Sequence, residues 1–244
     1  MEYAVEIKGL VKDFGTKRSV DHISLTIEEG ELFALLGVNG AGKTTTIRML
    51  SGLSRPSGGD AYVMGNSITG ELNEVKKNSN LSPQETAVAS NLTVLENLQF
   101  IARIYGASKE GARARADALI KQCGMTEIAK KKAKLLSGGW QRRLSIAMAL
   151  ITEPKILYLD EPTLGLDVLA RRELWKVIER LKGSVTVVLT THYMEEAEAL
   201  SDHVAVMMNG VVRAYGTVEE LKAKTGKDTL EEAFITIADH EGGL

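Results

Sequence analysis

The hydrophobic pattern divides the chain into short runs of two periods. Residues 3–8 and 20–27 read as strands, and in the second Val20, Ile23, Leu25 and Ile27 partly alternate with polar neighbours, as in a half-buried sheet. Leu32 to Leu36 is wholly apolar and leads into a glycine-rich turn. A helix follows with Ile47, Leu50 and Leu53 at helical spacing, stopped by Gly52, Pro56 and Gly58-Gly59. A short strand is expected over Ala61–Met64. Leu95 to Tyr105 is apolar at helical spacing, and Ala112 to Cys123 is built of helix formers. Another helix is predicted from Ser137-Gly138-Gly139 to about Thr152, with Leu144, Met148 and Ile151 on one face and Pro154 ending it. Lys155–Leu159 and Val185–Leu189 are apolar runs suited to the middle of a parallel sheet. Between them, 168–182 is an amphipathic helix (Leu174, Ile178, Leu181) closed by Gly183. Val204–Met208 and Val211–Tyr215 flank Asn209-Gly210, a hairpin signal. Thr217-x-x-Glu220 and Thr229-x-x-Glu232 are capping boxes that start two short helices.

Strands and helices alternate in the α/β manner, with a mainly parallel sheet. At 244 residues the chain suits one large domain or two small lobes. The net charge of −2 gives no electrostatic reason to expect nucleic-acid binding. Within 86–135, however, nine Lys/Arg face four Asp/Glu. This helical insertion is either a solvated face or a surface near anionic lipid. A single cysteine, Cys123, excludes an internal disulfide and a Cys-based metal cage. Met1-Glu2-Tyr3-Ala4 opens with an acid rather than a basic signal-peptide region, and no apolar run approaches the roughly 18–20 residues that span a bilayer. A cytoplasmic location is expected, with any membrane span supplied by another polypeptide.

The glycine-rich turn carries the first chemistry. Gly37, the spacer Val38-Asn39-Gly40-Ala41, then Gly42-Lys43-Thr44-Thr45 between strand and helix is the phosphate-cradling P-loop pattern. Its glycines let backbone N–H groups converge on an anion, and the helix start adds its positive dipole end. Lys43 is placed to reach the terminal phosphates and the Thr44 hydroxyl to ligate Mg²⁺. At the end of the strand Ile156-Leu157-Tyr158-Leu159, Asp160 and Glu161 fall where α/β sheets build their sites. Strand alternation sends the two carboxylates to opposite sides: Asp160 to Mg²⁺, directly or through water, and Glu161 to the γ-phosphate as general base for water. Leu136-Ser137-Gly138-Gly139-Trp140-Gln141 starts a helix whose small residues allow close approach of an anion. It reads either as an ordinary capped helix start or as a second phosphate nest, which makes most sense if it closes on the nucleotide of another subunit.

GVNGAGKTT, LSGGWQ and ILYLDEPT, in this order with a helical stretch between the first two, resemble the nucleotide-binding subunits of ATP-binding-cassette (ABC) transporters, from about Gly9 to Leu221. The resemblance implies a P-loop NTPase core with a mainly parallel sheet, an N-terminal antiparallel β subdomain and an inserted α-helical subdomain. The divisions expected are 1–85 and 153–215 for the core, 86–152 for the helical signature subdomain and 216–244 for a C-terminal helical tail. It implies ATP and Mg²⁺, and a head-to-tail homodimer or a paired ATP-binding subunit. Each ATP then lies between one P-loop and the Ser137-Gly138-Gly139 signature of the other subunit. A separate integral membrane permease completes the assembly, which holds the chain peripherally on the inner face of the cell membrane. Phe14 matches the aromatic that stacks on adenine, with a core Phe as the rival. Gln84 matches the glutamine that contacts Mg²⁺ or the lytic water, Asp167 the loop crossing the dimer interface, and His192 the histidine that grips the γ-phosphate. Val38 stands where Pro is frequent, and Trp140 where Gln is. The segment Thr191 to Asp202 is similar to the drug- and polysaccharide-exporting branch. Soluble ABC-type ATPases that act on ribosomes or DNA carry paired cassettes or long coiled-coil insertions, and this sequence has neither.

Overall fold

A computed structural model describes residues 3–239. The expected divisions 1–85 and 216–244 therefore run at their ends, over 1–2 and 240–244, outside the described residues. Two long strands open the chain, β1 (Tyr3–Phe14) and β2 (Lys17–Glu28), followed by β3 (Leu32–Leu36) and α1 (Lys43–Leu50). Next come β4 (Gly58–Val63), β5 (Asn66–Ser67), α2 (Leu72–Asn78) and β6 (Ser79–Ser82). Three helices succeed them: α3 (Val94–Ile104), α4 (Lys109–Gln122) and α5 (Gly138–Leu150). The rest alternates: β7 (Ile156–Asp160), α6 (Val168–Glu179), β8 (Thr186–Thr191), α7 (Met194–Leu200), β9 (His203–Met208), β10 (Val211–Gly216), α8 (Val218–Thr225) and α9 (Leu230–Asp239).

Among the described residues, the larger sheet has the order β10-β9-β3-β8-β7-β6, parallel except for the β10 hairpin. β3, β7 and β8 are buried along their whole length, which requires apolar cover on both faces. Side chains alternate between those faces: Leu32, Ala34 and Leu36 join the cluster formed with α5, α6, α7 and α9, whereas Phe33 and Leu35 pack with α1 and the smaller sheet. Each fully buried Leu or Phe contributes about 1.5–3 kcal/mol relative to exposure. The smaller sheet, β2-β1-β4-β5, is antiparallel and lies on the second face. A third apolar cluster, built from α3, α4, α5 and the connection between α4 and α5, contains Leu98, Ala116, Met125 and Leu144.

Several local expectations change. β1 and β2 extend well past 3–8 and 20–27, because Lys12, Asp13 and Phe14, which follow no apolar alternation, pair with Val20, Arg18 and Lys17, and Arg18 bonds Asp13. This hairpin is held by cross-strand pairing, to which hydrophobic alternation is blind. Leu53 is not on the first helix: Gly52 at φ +70° turns the chain, leaving Leu53 64 % exposed. α2 and β6 have no counterpart in the hydrophobic pattern. The polar Ser79-Asn80-Leu81-Ser82 is strand because it pairs with β7, while Asn80 Nδ2 bonds Ala149 O at 3.1 Å and Ser82 Oγ lies 3.0 Å from Ser145 Oγ.

Candidate functional site

The C-terminal ends of β3, β7 and β8 lie side by side, and the site is built on what leaves them. After Leu36 the chain turns through Gly37, whose N–H donates to Thr191 O at 3.2 Å. A Cβ on Gly37 would lie 2.2 Å from Met207 O. Gly42 adopts φ +106°, and a Cβ there would meet Ser19 O at 2.5 Å. Both positions demand glycine for reasons the motif alone does not supply. Lys43 opens α1 with its side chain buried, and Nζ donates to Gly37 O at 2.7 Å and Val38 O at 3.1 Å. Nζ also lies 3.4 Å from Glu161 Oε1. Burial pushes the Lys43 pKa down, against the opposing pull of Glu161 and Asp160.

Asp160 Oδ1 accepts from the Thr44 hydroxyl at 2.9 Å and from Thr190 Oγ1 at 2.7 Å. Asp160 and Glu161 do reach different partners, but strand alternation is not the cause. Asp160 is the last residue of β7, while Glu161 has already left the strand with φ +46°. Its N–H is fixed by Thr190, through O at 3.2 Å and Oγ1 at 3.0 Å. The Glu161 carboxylate therefore points to Lys43 on one side and on the other to His192, whose Nδ1 is 3.0 Å from Oε2 without hydrogen-bond alignment. The His192 ring packs 4.2 Å from Tyr193, which lies beneath the Arg171 guanidinium at 4.8 Å.

Lys43, Thr44 and Glu161 border a cleft of about 350 Å³ lined by Asn39 through Thr45, Gln84, Glu161 and Leu164, with Lys17 and Ser19 contributed by β2. Its walls carry backbone N–H groups, the ammonium groups of Lys17 and Lys43, the hydroxyls of Ser19, Thr44 and Thr45, and the Glu161 carboxylate. That set suits a polyanion accompanied by a hard cation. Phe14, at the end of β1, is 55 % exposed under Lys12 Nζ and does not line the cleft. Ser137, Gly138 and Gly139 lie elsewhere. Ser137 stands at the N-cap position of α5 with its hydroxyl making no capping hydrogen bond, and a Cβ on Gly139 would meet Ala170 Cβ at 3.0 Å, so the start of α5 packs against α6. Trp140 stacks with the Arg143 guanidinium at 4.4 Å and packs on the α3–α5 cluster. Asp167 caps α6 through Ala170 N at 2.9 Å. The sequence does not single out Thr190 or Arg142. Nothing in the apolar run around Thr190 marks its hydroxyl, and no spacing tells which of the adjacent Arg142 and Arg143 turns inward.

Comparison with known proteins agrees with this geometry. A family profile described as ABC transporter matches residues 20–164. The chain is 42% identical over 228 residues to the daunorubicin/doxorubicin resistance ATP-binding protein DrrA of Streptomyces peucetius, covering 93% of this chain and 69% of that protein. It is 40% identical to part of the human phospholipid-transporting ATPase ABCA3, covering 91% of this chain and 13% of that one. Among solved structures, an ATP-binding subunit of an ABC transporter superposes with a TM-score of 0.84 at 27% identity, covering 97% of this chain and all (100%) of the other. The ATP-binding cassette MJ0796, as a dimer in a post-hydrolysis state bound to ADP and Pi, superposes with a TM-score of 0.78 at 26% identity, covering 87% and 98%.

Proposed function

Because this chain belongs to the ABC transporter family, as an ATP-binding and ATP-hydrolysing subunit, we propose that it energises export through a separate membrane-embedded protein, closing on a second ATP-binding subunit and reopening after hydrolysis. The observation that carries this reading is the split between its two phosphate-binding features. Lys43, Thr44 and Glu161 line one cleft, with Asp160 bonded to Thr44 and His192 beside Glu161, whereas Ser137-Gly138-Gly139 takes no part in lining it. A second copy brings its Ser137 end to this cleft, as the dimeric state of the MJ0796 relative supports. The exposed Leu164, Val168 and Leu169 around Asp167 suit the same contact.

In this reading, backbone N–H groups from Gly40 to Thr45 and Lys43 Nζ hold the triphosphate, and Phe14 stacks on the base outside the cleft. The donor chemistry also fits Mg²⁺: Thr44, Asp160 and Gln84 offer oxygens of the type it prefers, and no group of three or more His, Cys, Asp or Glu is assembled among the described residues. Bound there, Mg²⁺ would neutralise charge on the β- and γ-phosphates. Glu161 takes the proton of the attacking water, with Lys43 and His192 on either side of its carboxylate. Catalysis then rests on position and charge rather than on a covalent intermediate.

No helix among the described residues is long and apolar enough to cross a membrane; in this reading the span is the partner's. The chain would sit peripherally at the inner membrane face, with residues 86–152 moving as a helical subdomain against the core. Relatives named for drug resistance support export over import. Affinity capture of the full chain from detergent-solubilised membranes tests the proposal. Co-recovery of a polytopic membrane protein is expected; recovery with ribosomes and no integral membrane protein would overturn it.

A further inference from the structure

Helix α5 carries Arg142 into the interior, where its side chain is 4 % exposed. A guanidinium holds five N–H donors in a planar fork, and here all five end on backbone carbonyls. Nε donates to Pro162 O at 2.8 Å. One terminal nitrogen donates to Pro83 O and to Gln84 O (2.9 Å), the other to Asp160 O (2.6 Å) and Glu161 O (2.8 Å). None of the five acceptors is a carboxylate. Burying a cation is costly when no counter-ion is bonded to it, so the arrangement serves geometry.

The acceptors come from two segments that the sheet no longer joins. β6 and β7 pair as far as Ser82 with Leu159, and beyond that point the ladder stops. Arg142 bridges the two exits there, one leading to Gln84 and the other to Glu161. The backbone of Glu161, in a conformation unusual for a glutamate, is anchored at its N–H by Thr190 and at its carbonyl by Arg142. Five residues before Arg142, about 7.5 Å along the helix axis, Ser137 stands at the N-cap position of the same helix.

We propose that Arg142 is a positioning residue for hydrolysis: from the helix that presents Ser137, Gly138 and Gly139, it fixes the loop of Gln84 and the backbone of Glu161, so that the seating of α5 sets the aim of the base. The assignment rests on the reading of Glu161 as that base.

Arg142→Lys and Arg142→Ala in the full chain, beside Glu161→Gln, test it. Both Arg142 variants should keep ATP dissociation constants within about threefold of the unsubstituted chain, while kcat falls about 10²-fold, the effect of misplacing a reacting group by about 1 Å. Lysine should restore little, since its ammonium lacks the planar fork. Low-millimolar guanidinium should raise kcat of Arg142→Ala several-fold and leave the unsubstituted chain unchanged. A lowered Tm with unchanged kcat would make the role merely structural and overturn the proposal, as would equal losses of kcat and affinity without rescue. Should Arg142→Ala fail to fold, the comparison of kcat with affinity in Arg142→Lys decides. Brisk turnover by Glu161→Gln overturns the base reading instead, whereas an inactive Glu161→Gln beside a fully active Arg142→Lys overturns the positioning role alone.

Discussion

Lys43 Nζ lies 3.4 Å from Glu161 Oε1, so the cation of the P-loop and the carboxylate beyond β7 form one buried ion pair. A glutamine at 161 keeps the size and an acceptor for Lys43 but cannot take a proton from water. Glu161→Gln should therefore bind ATP within a few-fold of the unsubstituted chain, lose about 10²–10⁴-fold in kcat, and accumulate as an ATP-dependent dimer. Steady-state phosphate release and size-exclusion chromatography with ATP read the two effects. Near-normal turnover would remove Glu161 from the role of base.

Lys43 is tied to the carbonyls of Gly37 and Val38 as well as to Glu161. Lys43→Ala removes the one ammonium of the cleft's anion-binding loop and leaves the buried Glu161 carboxylate without its cation. ATP affinity should fall at least about tenfold, or 1.4 kcal/mol, in a titration with a fluorescent nucleotide. An unchanged affinity would contradict phosphate binding by this loop.

Much of this site is legible in the sequence because its chemistry is local. Gly37 to Thr45 must be a tight turn with a cation at its end whatever surrounds it, and an apolar run ending in Asp160-Glu161 must bring carboxylates to the C-terminal end of a buried strand. What stays hidden is set by tertiary contacts. β6 is polar and becomes a strand only through β7, so the support of Gln84 leaves no hydrophobic trace. Glycine at 37 is required by Met207 O, 170 residues away in sequence. Arg142 and Arg143 are neighbours of one type, and only the packed structure tells the buried clamp from the partner of Trp140. The long β1–β2 hairpin is likewise held by pairs such as Arg18 with Asp13, which no periodicity announces.

Tyr158, in the middle of β7, is fully buried, and its hydroxyl has no hydrogen-bonding partner among the described residues. Burial alone pushes its pKa above the usual tyrosine range. An orphaned buried hydroxyl costs about 1–3 kcal/mol, so Tyr158→Phe should leave stability unchanged or raise it by about 1 kcal/mol. Urea denaturation measures this. A loss above about 2 kcal/mol would mean that the hydroxyl is satisfied in solution.

Glu196 on α7 is fully buried and accepts from Trp175 Nε1 at 3.1 Å. Burial raises its pKa; the neighbouring Thr191 and Thr163 hydroxyls, the Trp175 indole and the charge of Arg171 pull the other way. A raised folded-state pKa means that between the ordinary value of 4.5 and the folded value the native state holds more protons than the unfolded chain. Stability therefore falls as pH rises through that window and is level above it. Below pH 4.5 both states are protonated and the contribution disappears. Glu196→Gln can still accept from Trp175 but does not titrate, and every other group is common to both proteins. The stability of the variant minus that of the unsubstituted chain should accordingly climb with pH from about 4.5 upward and then plateau. Denaturation curves at half-unit pH steps provide the difference directly. Parallel pH profiles would show that Glu196 keeps its ordinary pKa in the folded protein, with its burial fully offset by the hydroxyls and the indole around it.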